Sequence, residues 1–508
     1  LSPRLRLALQ TGAAAGLGAL QTLAFVHTVL WWLPLATLVP LVAWLDAARP
    51  ARAAWLGWVY GIGWIAAGVW WLFISMHRYG GLAAPLAAAA VLLLAGALAL
   101  FLAAAAAAYA RWRRGTAWDA LLFAALWLLA ELARGQWFTG FPWVASGYAQ
   151  VDSPLARLAP WVGVYGMGAV VAGSAAALGL LVCRPDRGRW ARPVVLAGAL
   201  WALAQALPSG FTRPAGEMSV ALLQTNVSQD EKFASEHMPQ TLAWVGRELV
   251  AAHADLVLAP ETAVPLLPGQ LEDFAPGYWA SLKAAFAVPG RAALVGIPLG
   301  DFDQGYTNSV VGLSAQGSDY RYDKWHLVPF GEFIPRGFRW FTELMNIPLG
   351  DFARGVLNPP SFAAAGQRVA PNICYEDLFG EELARRFVDE ALAPTVLANV
   401  SNMGWFGDSS AIVQHLNISR LRALELQRPL IRATNTGATA VVDHRGQVRA
   451  ELAPHTRGVL LSSVQGREGL TPYARWAAHA GLWPLWGLGL LAVAWCATRH
   501  PRRFPPIG

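Results

Sequence analysis

Residues 82–108, LAAPLAAAAVLLLAGALALFLAAAAAA, run for 27 positions without a charged side chain. A hydrocarbon core of about 30 Å is crossed by roughly 20 apolar residues in a helix, so this stretch is long enough to span a bilayer. The same ruler marks seven spans before residue 210, at approximately 7–26, 28–45, 54–76, 82–109, 116–133, 160–183 and 193–209, and one more at 477–497. Between them, 217–465 carries the mixed charge of an ordinary globular domain. The whole chain of 508 residues is 55% hydrophobic and 14% charged, against roughly 25% charge in a typical soluble domain, and its mean hydropathy is +0.37. This pattern excludes a purely soluble enzyme, a disordered chain and a small disulfide scaffold. Arg4 and Arg6 precede the first apolar stretch as in a signal peptide, but six further spans make a retained span the better reading.

The net charge of +7 follows membrane topology better than it follows a polyanion. All but three of the 39 basic residues are arginine, and many flank the apolar runs instead of forming one basic face, so nucleic-acid binding is not expected. With the N-terminus in the cytoplasm, Arg4, Arg6, Arg49, Arg52, Arg111, Arg113, Arg114, Arg184, Arg187, Arg189, Arg192, Arg499, Arg502 and Arg503 lie inside. Only Arg78, Arg134, Arg157 and Arg213 lie outside. Fourteen against four satisfies the positive-inside rule and puts both termini in the cytoplasm, with 217–465 on the far side. Asp119 and Glu131 sit near opposite ends of the fifth span, where a carboxylate can reach the interface. Charged residues are absent from the middle of several spans, so a transporter is disfavoured. Trp31, Trp32, Trp70, Trp71, Trp137 and Trp143 are expected mostly as interfacial anchors.

From residue 217 short apolar strands alternate with amphipathic helices. Strands are expected at Met218–Val227, Asp255–Pro260, Ala292–Pro298, Thr307–Leu313, Arg368–Cys374 and Thr395–Val400, then near 430–442 and 457–464. Helices are expected at Pro239–His253, 379–389 and 410–427. This is a layered α/β domain large enough for a full core. It shows no internal repeat, no phosphate-binding glycine loop and no metal-ligand spacing, and the ten histidines are scattered.

Three segments place polar groups where apolar strands end, the position at which ligands gather in α/β sheets. Leu256-Val-Leu-Ala-Pro-Glu261 delivers a carboxylate, Tyr322-Asp-Lys324-Trp-His-Leu-Val-Pro-Phe-Gly-Glu332 an amine and a second carboxylate, and Pro371-Asn-Ile-Cys374-Tyr375-Glu376 a thiol. Cys183 and Cys496 end apolar spans, which leaves Cys374 without a disulfide partner inside its domain and makes it a candidate reactive thiol. A carboxylate, an ammonium and a thiol together suit acyl transfer. The thiol needs a base such as Glu261, and the oxyanion needs donors such as Lys324 and the Tyr375 backbone N–H. Taken singly, each residue also has a structural reading: Cys374 as a small hydrophobe, Glu261 as a solvated turn residue, Lys324 as surface charge. Lysine is nearly absent from the chain, occurring only at 232, 283 and 324, so its placement beside the Leu-Val-Pro-Phe run stands out.

The order Glu261, Lys324, Cys374 resembles that of the nitrilase (carbon–nitrogen hydrolase) superfamily. With the surrounding spans, the chain resembles the apolipoprotein N-acyltransferases of Gram-negative bacteria along essentially its whole length. Thr139-Gly-Phe-Pro-Trp143 with Gly147-Tyr148, Pro260-Glu261-Thr, Leu327-Val-Pro-Phe-Gly-Glu332, Ile373-Cys374-Tyr375-Glu376 and Asn402 through Trp405-Phe-Gly407 carry the likeness. It implies a membrane domain of about eight helices (seven within 1–210 and one at 477–497) and a nitrilase-like αββα sandwich at 217–465 facing the periplasm from the inner membrane. It makes Glu261 the general base, Lys324 the oxyanion stabiliser and Cys374 the nucleophile, with Glu332, Tyr375 and Glu376 in support. Phe233, Asn402 and Trp405 are expected at the substrate. Phe233 stands where the family carries a tryptophan, and Met403 where an aspartate often follows Ser-Asn.

The activity implied is transfer of an acyl chain from a phospholipid, through a Cys374 thioester, to the N-terminal amine of a diacylglyceryl-cysteine apolipoprotein. A monomer with no cofactor and no metal suffices for it. The alternative is a membrane-anchored amidase acting on a soluble amide. Phe338–Pro348, with Trp340, Phe341, Leu344 and Met345, is expected either as a lipid-facing lid or as core.

Overall fold

The computed structural model describes residues 2–183, 187–232, 234–315, 320–335, 337 and 351–498. The lid expectation at Phe338–Pro348 and the substrate-contact expectation at Phe233 therefore lie outside the described residues. The chain divides into two compact units, one formed by residues 1–70, 88–209 and 482–508 and the other by 71–87 and 210–481.

The first unit is helical: α1 (Pro3–Leu20), α2 (Leu33–Ala47), α3 (Pro50–Gly68), α4 (Ala84–Trp112), α5 (Trp118–Gln136), α6 (Ala159–Cys183), α7 (Arg187–Ala206) and, at its end, a helix at Trp483–Thr498. Among the described residues five helical stretches are by themselves long and apolar enough to cross a membrane, and two broken pairs raise the number to seven. Ala191–Ala206 is apolar but shorter. Without a hydrophobic drive between helices in lipid, small residues let backbones approach closely. A Cβ on Gly18 would stand 2.0 Å from the Tyr60 carbonyl oxygen, and one on Gly63 would stand 2.1 Å from that of Ala15, so α1 and α3 are locked at glycine contacts.

Two expectations for this unit are corrected. Neither Asp119 nor Glu131 reaches an interface, because both are buried. Asp119 accepts the backbone N–H groups of Arg114, Gly115 and Thr116 and so holds the loop that leads into α5. Glu131 accepts the Ser146 N–H at 2.8 Å and lies 3.5 Å from Arg134. Arg134 in turn donates to the Phe141 and Trp143 carbonyls at 2.8 and 2.7 Å. It is thus an internal tether for the Thr139–Trp143 loop. Trp143 is a buried packing residue, as is Trp71, which belongs to the second unit, whereas Trp32, Trp70 and Trp137 are exposed as anchors would be.

The second unit stacks two six-stranded sheets. One has the order β12-β1-β2-β3-β4-β5 and the other β11-β10-β9-β8-β7-β6. The strands are β1 (Arg213–Gln224), β2 (Leu256–Leu258), β3 (Ala292–Asp301), β4 (Gly305–Ser314), β5 (Tyr320–Asp323), β6 (Phe362–Ala364), β7 (Gln367–Ile373), β8 (Val396–Ser401), β9 (Leu430–Thr434), β10 (Ala440–Val442), β11 (Val448–Glu451) and β12 (Gly458–Glu468). The period-two alternation of strands sorts their side chains between two cores. Met218, Val220 and Leu222 of β1 face Val369, Ile373, Val400 and Ile431 of the other sheet. Ala221 and Leu223 face outward under α8 (Met238–Ala251) and α9 (Tyr278–Phe286), which contribute Leu242, Val245, Leu249, Leu282 and Phe286. The helix α10 (Ala411–Leu426) carries a heavily buried polar surface, described below.

The expected fold class, a multi-span helical part with a nitrilase-like α/β sandwich, is what forms. Short pieces were not anticipated, namely β6, β11 and α9, and 430–442 is an antiparallel hairpin of β9 and β10. Truncating Leu258, fully buried between the sheets, to alanine is expected to cost about 2–5 kcal/mol. It would appear as a lower melting midpoint of the purified protein in detergent.

Candidate active site

Glu261 follows β2, whose three residues are all buried and run parallel to β1 and β3. The backbone at Pro260–Thr262 lies directly over Gly296 of β3, where a Cβ would come within 2.3 Å of the Pro260 carbonyl oxygen. Lys324 follows β5, with its N–H donated to the Asn308 carbonyl at 2.9 Å. Cys374 is the first residue after β7 and opens a short 3-10 turn, Cys374–Leu378, at φ +51°. A non-glycine residue in that left-handed region costs on the order of 1–3 kcal/mol and persists only where its surroundings hold it.

The structure brings these three segments together around one ammonium. Lys324, 1% exposed, stands 2.9 Å from each oxygen of Glu332 and 3.6 Å from Glu261 Oε1. Asn308 donates through one amide nitrogen to Glu261 Oε1 at 2.6 Å and to Glu332 Oε1 at 2.8 Å. The reverse orientation of that amide would aim an oxygen at two carboxylates, so its neighbours fix it. The remaining oxygens accept backbone groups: Asn402 N–H to Glu261 Oε2 and Val328 N–H to Glu332 Oε2, both at 2.8 Å. Neither the solvated-turn reading of Glu261 nor the surface-charge reading of Lys324 survives, because both are buried.

The charges set the state of the thiol. Burial works against the Lys324 ammonium, but Glu332 and then Glu261 outweigh it, and its pKa is raised. Burial pushes the Cys374 thiol up to about 12, Glu261 pushes the same way, and Lys324 pulls back. The site therefore rests as a neutral thiol beside a fixed ammonium, not as a thiolate.

Glu376 binds the thiol turn to the lysine segment. Its Oε1 accepts the Trp325 and His326 N–H groups at 2.7 and 3.1 Å, and its Oε2 accepts the Tyr322 hydroxyl at 2.6 Å and the Ile373 N–H at 2.7 Å. Tyr375 is buried, with its ring 5.7 Å from His326 and 5.3 Å from Phe379. Behind the turn, His415 of α10 meets the Cys374 carbonyl at 3.1 Å through Nε2 and Arg432 at 2.9 Å through Nδ1. Arg432 only donates and a carbonyl only accepts, so His415 is the neutral Nε2–H tautomer. Burial and then the Arg432 charge hold it well below the ordinary histidine range.

Asn402 caps the next 3-10 turn and also contacts Gln229 Oε1 and Asn435, at 2.9 Å each. Trp405 is half-buried, edge-on to Tyr79 at 5.8 Å. Sequence reasoning missed Asn308, Lys232, Gln229, His415 and Asn435. Asn308 left a trace, as the polar run Thr307-Asn308-Ser309 inside an apolar strand. The scarcity of lysine pointed equally at Lys232.

Two family models match this chain. Residues 219–473 match that of the carbon-nitrogen hydrolases, and residues 17–177 match the apolipoprotein N-acyltransferase N-terminal domain. The paired sheets thus make the second unit a carbon–nitrogen hydrolase-type domain, here carried by a membrane protein. An apolipoprotein N-acyltransferase of Verminephrobacter eiseniae is 53% identical, covering 94% of this chain and 94% of its own. Those of Ralstonia nicotianae and Bordetella bronchiseptica are 46% and 42% identical, over 98% and 97% of this chain and 95% and 98% of theirs. The chain belongs to the apolipoprotein N-acyltransferase family and is an N-acyltransferase.

Two outcomes test this geometry. Alkylation of Cys374 by iodoacetamide is expected to keep accelerating from about pH 7 to about pH 10, since a thiol reacts through its thiolate. A plateau below about pH 8 would contradict the raised pKa. Glu376→Gln puts an NH2 where backbone donors point, and at about 1–3 kcal/mol per unsatisfied group transfer activity should fall about 100-fold in a protein that still folds.

Proposed function

We propose that Cys374 carries the acyl group as a thioester between two half-reactions, with Glu261 as the proton carrier and Lys324 as the oxyanion stabiliser. The observation that supports it most directly is the convergence of both carboxylates on Lys324, with the thiol held neutral in the same charge field. A resting thiolate would leave three anions around one cation. Attack on a phospholipid ester carbonyl avoids this if the sulfur loses its proton to Glu261 as the C–S bond forms. The negative charge then moves to the carbonyl oxygen, beside Lys324 and the Tyr375 backbone N–H. Collapse expels the glycerol oxygen, which takes the proton from Glu261 and leaves as lysophospholipid.

In the second half the α-amine of a diacylglyceryl-cysteine apolipoprotein attacks the thioester. Glu261 removes an N–H proton and returns it to the departing sulfur, and the product carries an N-terminal amide. Glu332 fixes Lys324, and Glu376 and Tyr375 shape the turn that presents Cys374. Asn402 and Trp405, with Phe233, form the substrate side. The arginine bias places the domain at 217–465 in the periplasm, with both termini cytoplasmic in the inner membrane. The chain acts as a monomer on two lipidated substrates without cofactor or metal. Holding both in one bilayer raises their effective concentration at the thiol.

Incubation with phosphatidylethanolamine in detergent micelles should give a mass increase of one acyl chain on Cys374, absent in Cys374→Ala. An unmodified Cys374 that instead reacts with a small soluble amide would favour an amidase. Glu261→Gln should slow thioester formation at least about 100-fold. The same change removes an anion beside the sulfur, so the alkylation profile of Cys374 should shift to lower pH. A shift to higher pH would rule out the charge coupling.

A further inference from the structure

Two of the three lysines of this chain are buried against the same glutamate. Lys324 faces its carboxylate. Lys232, 5% exposed, comes from the short helix Gln229–Lys232 and donates from Nζ to the Glu261 backbone carbonyl at 3.0 Å. Among the described residues no carboxylate lies within ion-pair distance of Lys232 Nζ. A cation buried on one neutral acceptor is poorly solvated, so this amine gives up its charge more readily than an exposed lysine does. The reaction has a use for such a group. At neutral pH an α-amine, of pKa about 8, arrives mostly as an ammonium, and aminolysis of a thioester by an ammonium releases one proton overall. Glu261 cannot absorb it, because the proton Glu261 takes from the attacking nitrogen is owed to the sulfur.

We propose that Lys232 is the base that accepts the surplus proton of the acceptor ammonium, an inference that rests on the thioester reading above. In the fraction of sites where Lys232 is the free amine, about a tenth at pH 7 for a group titrating near 8, it takes one N–H proton and becomes an ammonium. The freed amine attacks the thioester carbonyl, Glu261 relays the second N–H proton to sulfur as the C–S bond breaks, and Lys232 later releases its proton to water. Each proton then has one carrier, and no step places two on Glu261. The groups facing Lys232 are Glu261 and Cys374, whose anionic forms favour its charged state. On its own turn Glu231 and Asp230 follow the backbone, and Asp230 pairs with Arg78 at 2.9 Å. Burial outweighs Glu261 and Cys374 and brings the Lys232 pKa down to about 8, matched to the amine it is to deprotonate. The first half-reaction starts from an uncharged thiol and has no surplus proton, so Lys232 has no proton to take there.

The test separates the halves. In Lys232→Gln, which keeps a donor for the Glu261 carbonyl but has no base, Cys374 should acylate within about threefold of the wild-type rate. Discharge of that thioester by a synthetic diacylglyceryl-cysteine peptide at pH 7 should slow about 100-fold. Two readouts distinguish lost proton transfer from a disturbed fold. Hydroxylamine, which is uncharged at pH 7, should discharge the variant's thioester as fast as the wild type's. Raising the pH to about 9, where the peptide amine arrives already neutral, should restore most of the peptide rate. Normal discharge by the peptide at pH 7, equal slowing with hydroxylamine, no recovery at high pH, or loss of the first half in a stable variant would each overturn the inference. Should Lys232→Gln not fold, Lys232→Arg is held to the same four outcomes. Absence of a thioester in the wild-type protein would instead overturn the thioester reading itself.

Discussion

The constraint on which the site depends is one buried ammonium shared by two carboxylates. Lys324 is held by both oxygens of Glu332 and lies 3.6 Å from Glu261. Buried charges are expensive unless paired and fully hydrogen-bonded, and here every carboxylate oxygen has a donor: Lys324, the Asn308 amide, or the Asn402 and Val328 N–H groups. With the thiol neutral, Lys324 faces two carboxylates, and Lys232 stands beside Glu261 as a further basic group. The thiol is raised instead of activated because burial disfavours its anion and Glu261 adds to that, while Lys324 pulls back only in part. In the proposed reaction the same constraint becomes a mechanism, since the proton and the negative charge change places within the cluster without altering its total.

The fold's part is to bring distant segments to one point and hold them there. Glu261, Lys324 and Cys374 each follow a strand, two in one sheet and one in the other, so the packing of the sheets brings the segments together. Fine placement falls to single side chains. Glu376 ties the cysteine turn to the backbone after Lys324 by four hydrogen bonds, and His415 holds the Cys374 carbonyl from behind. These contacts stabilise a left-handed backbone at Cys374 that an isolated strand end would not keep.

What the sequence made legible follows from the range of the physics involved. Long apolar runs and period-two alternation are local signals, so the spans, the main strands and the layered class could be read directly. The polar ends of strands pointed to Glu261, Lys324, Glu332 and Cys374, and the family resemblance ordered them. What stayed hidden depends on tertiary partners. Asn308 is an ordinary strand residue until two carboxylates arrive at its amide. His415 is one of ten histidines until α10 is laid against the cysteine turn. Glu131 looked interfacial by position, but Arg134 and Ser146 make it an internal tether. Three-residue strands such as β6 carry too few positions for a period to show.

A thiol that is neutral at rest also bears on selectivity between nucleophiles. A free thiolate above a bilayer would be open to oxidation and to any soluble electrophile, whereas in the proposed reaction this thiol becomes nucleophilic only as Glu261 takes its proton. Proton transfer is thereby coupled to the presence of an ester in the site. The second half-reaction has the opposite difficulty. Its nucleophile arrives too protonated, and water, which brings no surplus proton, is the competing acceptor. A site with only the Glu261–Lys324–Cys374 set would favour that competitor at neutral pH. On the proposal made above, Lys232 as a second basic group shifts the balance toward the amine by chemistry, independently of how thoroughly the site is dried. On that proposal, hydrolysis and acyl transfer at this site differ by one proton acceptor, the buried Lys232 amine.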